Sequence, residues 1–260
     1  MDDVIYVDVG VGQNKSTAAI KSDNSLWVWG GRWLNTGRNN ERSYGNIPIK
    51  VMDDVIQVLV TDRHTWAIKS DFSLWVWEVT ADPVPVKVVI NVDGRTVEHI
   101  SMMSQGYAPE HSNKSILYLS TNGEAGLAFF PETDNIFTSD IIQMDSEKTI
   151  LTDVVTITAG GYGHFAAIKS DGTLWTWGKN DSGQIGNGSI QPLRDIEPFM
   201  VMENVVSVST VWKSTIALKN DGSVWVWGRN QFGDLGIGSD SETTITSPIK
   251  LMDGVMLPEG

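Results

Sequence analysis

The chain contains no cysteine, which excludes disulfide frameworks, thiolate metal sites and thiol nucleophiles together. It is also short of cations: 19 Lys and Arg stand against 32 Asp and Glu, a formal net charge of −13. Phosphate backbones are held by clustered Lys and Arg that displace counterions, and here the cations are few and scattered, so nucleic acid is a poor partner. An anionic membrane surface would repel the chain for the same reason. No apolar run approaches the roughly 18 residues of a spanning helix, and no membrane insertion is expected. The opening MDDVIYVDVG lacks the basic and apolar regions of a signal peptide. A place in a secreted or cell-surface protein, as part of a longer chain, is one expectation for the compartment. Histidine is sparse too, at four, and no H-x-x-x-H or D-x-[DN]-x-[DN]-G spacing occurs, so neither a metal nor a cofactor is expected.

Tryptophan is what the chain has in excess. Eight of its 11 Trp form four W-x-W pairs, Trp27/Trp29, Trp75/Trp77, Trp175/Trp177 and Trp225/Trp227. The first members are 48, 100 and 50 residues apart, so the double step hides a unit without its pair. In LYLSTNGEAGLAFF, Asn122-Gly123 aligns with the Asp-Gly of other units, and Gly126 and Ala128 hold the two Trp positions. Five units of about 50 residues fill a single domain over 1–260, with repeats at about 1–51, 52–91, 92–151, 152–202 and 203–253.

Each full unit reads as short strands. Val154 to Thr158 and Val205 to Ser209 are β-branched runs; a second apolar run, Phe165 to Lys169 in the fourth unit, follows a loop. Asp171-Gly172 and Asp221-Gly222 predict two-residue hairpin turns with both residues at positive φ. The third strand carries the W-x-W pair, and its period of two sends both rings to one face, into a core between sheets. Pro48, Pro85, Pro198 and Pro248 open a fourth strand, where a missing N–H does no harm. Four-stranded units apolar on both faces bury themselves by stacking around an axis, so the predicted fold is an all-β propeller. Both termini fall in the same phase of the repeat, which suits a closed five-bladed ring and equally a part of a larger propeller.

From His164 to Gly188, HFAAIKSDGTLWTWGKNDSGQIGNG, the chain resembles the regulator of chromosome condensation repeat family, in its bacterial type. Asn180, Gly183, Gln184, Ile185, Gly186 and Gly188 match that family's N-x-x-G-Q-[LI]-G-x-G loop, and Asn230, Gly233, Leu235, Gly236 and Gly238 repeat it with Asp234 in place of Gln. The resemblance is strong in units four and five, good in one and two and poor in three. The second unit lacks the Gly-rich loop, and the third has an insertion between Val97 and Ser115. It implies a propeller, usually of seven blades, and nucleotide exchange on a small GTPase as the best-known family activity.

Little in the sequence looks catalytic. His64 and His164 share a repeat position that Ser16, Ser115 and Ser214 fill elsewhere, which suggests a hydrogen bond at strand entry rather than acid–base work. Ser170-Asp171-Gly172-Thr173-Leu174-Trp175 lacks the spacing of the sialidase Asp-box, nothing locates the carboxylate pair of a glycoside hydrolase, and the Gly-rich loops have no P-loop Lys. The chain is expected not to be an enzyme. Function is sought where repeats differ, in the loop between first and second strands. Asn14, Arg63, Tyr107, Tyr162 and Trp212 lie there, of types that carry binding energy at protein interfaces. The expected role is noncatalytic binding of a partner protein through one face, with a carbohydrate-binding or structural cell-surface module as the alternative. The hairpin tips and Gly-rich loops are expected together on the opposite face.

Overall fold

The computed structural model describes residues 1–10, 16–30, 47–61, 64–78, 83–106, 115–129, 141–238 and 243–256. Among them the regular elements are β-strands, with one 3-10 turn at Gln231–Gly233. The chain forms two compact units, Met1–Met102 with Phe130–Ser146, and Met103–Phe129 with Glu147–Gly260.

The first unit holds β1 (Val4–Val9), β2 (Ser16–Lys21), β3 (Leu26–Gly30) and β4 (Ile49–Met52), an antiparallel sheet in chain order. A second antiparallel run follows, β5 (Val55–Val60), β6 (His64–Lys69), β7 (Leu74–Glu78) and β8 (Val86–Val92). β8 turns through Asp93 and Gly94, both at positive φ, into the short β9 (Arg95–Val97). The third repeat contributes β10 (Ile100–Gly106), β11 (Ser115–Ser120), β12 (Ala125–Phe129) and β13 (Ile141–Leu151). The outer edge of β8 pairs in parallel with the start of β13, Ile141 opposite Lys87 through Ser146 opposite Val92. This pairing was not expected from a four-stranded unit, and it covers an otherwise open strand edge. The second unit contains two antiparallel sheets in chain order: β14 (Val154–Gly160), β15 (His164–Lys169), β16 (Leu174–Asn180), β17 (Gln191–Met202), and β18 (Val205–Val211), β19 (Ser214–Lys219), β20 (Val224–Asn230), β21 (Thr243–Met252). Pro198 and Pro248 lie inside β17 and β21 rather than at their starts. Register shifts opposite Thr176/Gly178 and Val226/Gly228 leave these strands irregular near the Pro residues, where a missing N–H is tolerated.

The repeated Asp-Gly tips differ from the predicted turn. The N–H of Gly172 bonds the Lys169 carbonyl (2.9 Å), Lys169 N–H bonds the Thr173 carbonyl (3.0 Å), and only Gly172 has positive φ. This is a three-residue loop in which a glycine forms the bulge. Asn24 and Phe72 take the same left-handed position in the first two repeats. The preceding Asp organises the loop: Asp171 Oδ1 accepts the N–H (2.9 Å) and hydroxyl (2.6 Å) of Thr173, and the Thr173 hydroxyl oxygen accepts the Trp175 indole N–H (2.9 Å). Asp23–Ser25–Trp27, Asp71–Ser73–Trp75 and Asp221–Ser223–Trp225 repeat this relay. Each tip then binds the following repeat, since the carbonyls of Asn24, Phe72, Gly123 and Gly172 accept the N–H of Val55, Ile100, Val154 and Val205.

The relay divides the Trp pairs. The first member, tied to the tip, is half-buried in all four repeats, whereas Trp77, Trp177 and Trp227 are fully buried. The expectation of two equivalent core rings therefore holds for the second member alone, and only in the last three pairs, because Trp29 is half-buried. Opposite the first member stands an alanine: Ala19, Ala67, Ala167 and Ala217 face Trp27, Trp75, Trp175 and Trp225. In the third repeat the sizes are exchanged, with Tyr118 facing Gly126, where a Cβ would sit 2.7 Å from the phenol Cζ. Volume is conserved across the strand pair although neither residue is.

Truncating the buried rings should cost more than truncating the tethered ones. In urea denaturation, Trp177→Ala and Trp227→Ala should each lose about 3–5 kcal/mol, and Trp175→Ala and Trp225→Ala clearly less. Equal losses across the four would contradict the division.

Candidate functional site

Alternation of direction in an antiparallel four-stranded sheet places the first-to-second and third-to-fourth loops at one end and the hairpin tip at the other. The Gly-rich loops therefore share the end with the variable loops, which corrects the expectation that they lie opposite. Observed contacts agree. Lys179 N–H bonds the Gly163 carbonyl (2.9 Å), Arg229 N–H bonds the Lys213 carbonyl (3.0 Å), and Lys213 Nζ lies 2.8 Å from Asp181 Oδ2.

The Gly-rich loop of the fourth repeat is held by its own side chains. Asn180 Oδ1 accepts the Ile185 N–H (3.1 Å), while its amide donates to Asn187 Oδ1 and the Ser189 carbonyl. Gln184, fully buried, accepts the Ser182 N–H at Oε1 (2.8 Å) and donates to Asp181. Asn230 caps Leu235 N–H alike in the fifth repeat. At Gly186, φ +81°, a Cβ would stand 2.8 Å from Trp227 Nε1, so only glycine lets that ring approach. The family-pattern residues thus serve the scaffold.

Of the expected binding residues, Asn14, Arg63 and Tyr107 lie outside the described residues. Tyr162 and Trp212 meet edge to face, ring centroids 5.2 Å apart. Lys213 Nζ stands 4.7 Å and Lys179 Nζ 5.6 Å from the Tyr162 ring centre, which gives the phenol two cationic neighbours. Tyr162 is half-buried, but Trp212 is 58% exposed and takes φ +50° as the first of two residues linking β18 to β19. The sequence reading missed Phe232, which is 82% exposed at φ +65° in the fifth Gly-rich loop. Its signal was an aromatic at the position where the fourth repeat has Ser182. A shallow polar cavity of about 200 Å³ at the same end is lined by Ser182, Arg229, Gln231, Thr243 and Thr244. The inserted Ser104 to Asn113 segment begins in a strand: Ser104 lies in β10 and its hydroxyl oxygen accepts the Ala159 N–H (3.1 Å). Among the described residues no group of three or more His, Asp or Glu could hold a metal ion, and no helix is long and apolar enough to cross a membrane.

These sheets and loops define a class, the repeat proteins that build a β-propeller from four-stranded blades. Two models of the regulator of chromosome condensation (RCC1) repeat match, one at 154–184 and 205–234, the other at 171–218 and 221–255. The matches place RCC1 repeats within residues 154–255 of the chain. No curated protein matches it in sequence. Among solved structures it is similar to Prp20p from Saccharomyces cerevisiae, described with its binding to Gsp1p and histones, at 17% identity and TM-score 0.69 over 95% of this chain and 65% of that one. It is also similar to yeast RCC1 (Prp20) bound to Kap60, at 19% identity and TM-score 0.67 over 95% and 63%. Human WBSCR16 matches at 16% identity and TM-score 0.67 over 96% and 67%. The chain thus spans slightly less than two thirds of the two yeast chains, and at these identities the likeness shows the propeller fold.

His164 sits at the start of β15, completely buried. Its Nε2 lies 3.3 Å from Thr215 Oγ1, and the Thr215 hydroxyl donates to the Gln184 carbonyl (3.0 Å). With the Thr215 proton committed to Gln184, a bond between these two side chains has Nε2 as its donor. The imidazole bonds into the fifth repeat, whereas Ser214, at the equivalent position, bonds the Arg229 carbonyl of its own sheet. Burial lowers the His164 pKa from 6.5 to about 4. The unfolded chain then takes up a proton that the folded chain refuses, so this contribution to stability is complete above about pH 6.5 and declines as pH falls toward 4. The total change is about 3 kcal/mol. The tip carboxylates of Asp23, Asp71, Asp171 and Asp221, held low by hydrogen bonds from the hydroxyl and then the N–H of the Ser or Thr two residues on, add a loss at still lower pH. Denaturant midpoints measured from pH 7 to 4 should fall for the parent and flatten in His164→Ser. An unchanged slope in that variant would refute the assignment.

Proposed function

We propose that the chain is a noncatalytic protein-binding module that holds its partner at the loop end of the second unit, with Tyr162, Trp212 and Phe232 as anchors and Lys179 and Lys213 beside them. The observation that carries this reading is the conformation of the two exposed rings. A non-glycine residue in the left-handed region costs about 1 kcal/mol or more, and an exposed aromatic gains little burial in return. Trp212 and Phe232 bear both disadvantages, a combination that suits a surface used for binding. A protein partner also agrees with the solved neighbours, whose descriptions name Gsp1p, histones and Kap60. A noncatalytic role is supported by where the candidate acids and bases lie: the tip aspartates are engaged in turns at the other end, and His164 is enclosed beneath Thr215.

Glycine replacements separate binding from folding, because they remove the ring and relieve the backbone together. With a partner captured from the native source and identified by mass spectrometry, Trp212→Gly and Phe232→Gly should keep or raise the melting temperature. Together they should weaken partner binding about thirtyfold or more. Parental affinity in the double variant would reject this face. Capture of glycans in place of proteins would replace the reading with the carbohydrate one.

A further inference from the structure

Trp227 and Arg229 are two residues apart on β20, and the Trp227 indole reaches the fourth repeat, donating to the Gln184 carbonyl (2.9 Å). Arg229 follows it to the same side. With Ser182 of the fourth-repeat loop it lines the polar cavity of about 200 Å³, together with Gln231, Thr243 and Thr244. Thr244 stands opposite Arg229 in the sheet and also approaches that loop, since a Cβ at Gly183 would meet its Cγ2 at 3.1 Å. Side chains of two consecutive repeats thus border one space within the second unit.

The chemistry of this lining is one-sided. A guanidinium, an amide and three hydroxyls can all donate hydrogen bonds, and no carboxylate stands among them, in a chain with 32 Asp and Glu. Asp181, next to Ser182 in the chain, is engaged elsewhere: Lys213 Nζ donates to its Oδ2 (2.8 Å) and Gln184 Nε2 to its Oδ1 (3.1 Å). Arg229 forms no ion pair among the described residues. Ser182 is buried with its N–H on Gln184 Oε1, while its hydroxyl makes no hydrogen bond among the described residues. An unpaired guanidinium in a pocket of further donors is arranged for an oxyanion.

We propose that this cavity is the carboxylate subsite of the partner-binding end. It takes the side chain of one Glu or Asp of the partner, gripped by the Arg229 guanidinium, with the Ser182 and Thr244 hydroxyls donating to the same oxygens. With a net charge of −13 the chain as a whole repels polyanions, so the site suits a single carboxylate rather than an acidic run or a phosphate dianion. Phe232 directly follows Gln231 of the cavity lining and is 82% exposed, so an apolar side chain beside the partner's acid meets that ring. The partner is thereby specified as a protein that presents an acidic residue next to an apolar one. The inference rests on the reading of the loop end as a binding face and adds the chemistry that the face selects.

Two blocked tripeptides, Leu-Glu-Leu and Leu-Gln-Leu, titrated into the full chain and followed by NMR at low ionic strength, test it. The Glu peptide should bind about tenfold or more tightly than the Gln peptide, with shifts at Arg229, Ser182 and Thr244. That ratio should vanish in Arg229→Gln and be partly kept in Arg229→Lys, which retains the charge without the fork. Phe232→Gly should weaken both peptides alike and leave their ratio, so the two claims fail separately. Equal affinities for the parent, or a ratio that survives in Arg229→Gln, would overturn the carboxylate subsite and leave the aromatic reading standing. Displacement of the Glu peptide by inorganic phosphate at lower concentration than by acetate would overturn it as well. Unchanged affinity for both peptides in Phe232→Gly would count against the aromatic anchor and leave the subsite supported.

Discussion

The structure depends on one packing event, the insertion of the second tryptophan of a W-x-W pair against the preceding sheet, as Trp77 and Trp227 make it. In the second unit this places Trp227 over Gly186 with its N–H on the Gln184 carbonyl. The ring can lie there only because the loop turns through Gly183, Gly186 and Gly188 in the left-handed region. The loop in turn holds its shape through the Asn180 and Gln184 side-chain bonds. Strand, loop and neighbouring sheet therefore specify one another, and in the third repeat Tyr118, facing Gly126, fills the place of the first ring.

The architecture was legible in the sequence because repetition amplifies weak signals: the W-x-W spacing, the Asp-Gly tips and the phase of the Pro-led strands all recur. What recurred with a hidden purpose was harder to read. The D-x-[ST]-x-W pattern looked like a turn followed by two equivalent core rings, yet the hydroxyl two residues after Asp diverts the first indole to the tip. The turn type was misjudged because Asp-Gly serves both two-residue and three-residue loops; Asp93-Gly94 adopts the former and Asp171-Gly172 the latter. The parallel pairing of β13 with β8 leaves no local trace, being a choice between two open edges.

The candidate site was only partly legible. Tyr162 and Trp212 stood out as non-repeated residues, and the structure brings them together. Phe232 escaped notice because it lies inside a loop whose other residues follow the family pattern. The grouping of Gly-rich and variable loops at one end follows from strand alternation alone. What no pattern could convey is backbone strain: that Trp212 and Phe232 hold left-handed conformations is visible only in coordinates. Phe72 at a hairpin tip shares that strain, so what sets Trp212 and Phe232 apart is strain together with far greater exposure at the loop end.

The central claim is that repeated residues build the scaffold while the divergent aromatics at the loop end meet a partner. Hydroxyl-radical footprinting of the chain with and without its captured protein partner tests this most directly, because indole and phenol rings report their own exposure. The account predicts that Trp212, Phe232 and Tyr162 lose reactivity in the complex, while Trp177 and Trp227 remain unreactive in both states. Full reactivity of Trp212 and Phe232 in a saturated complex would contradict it.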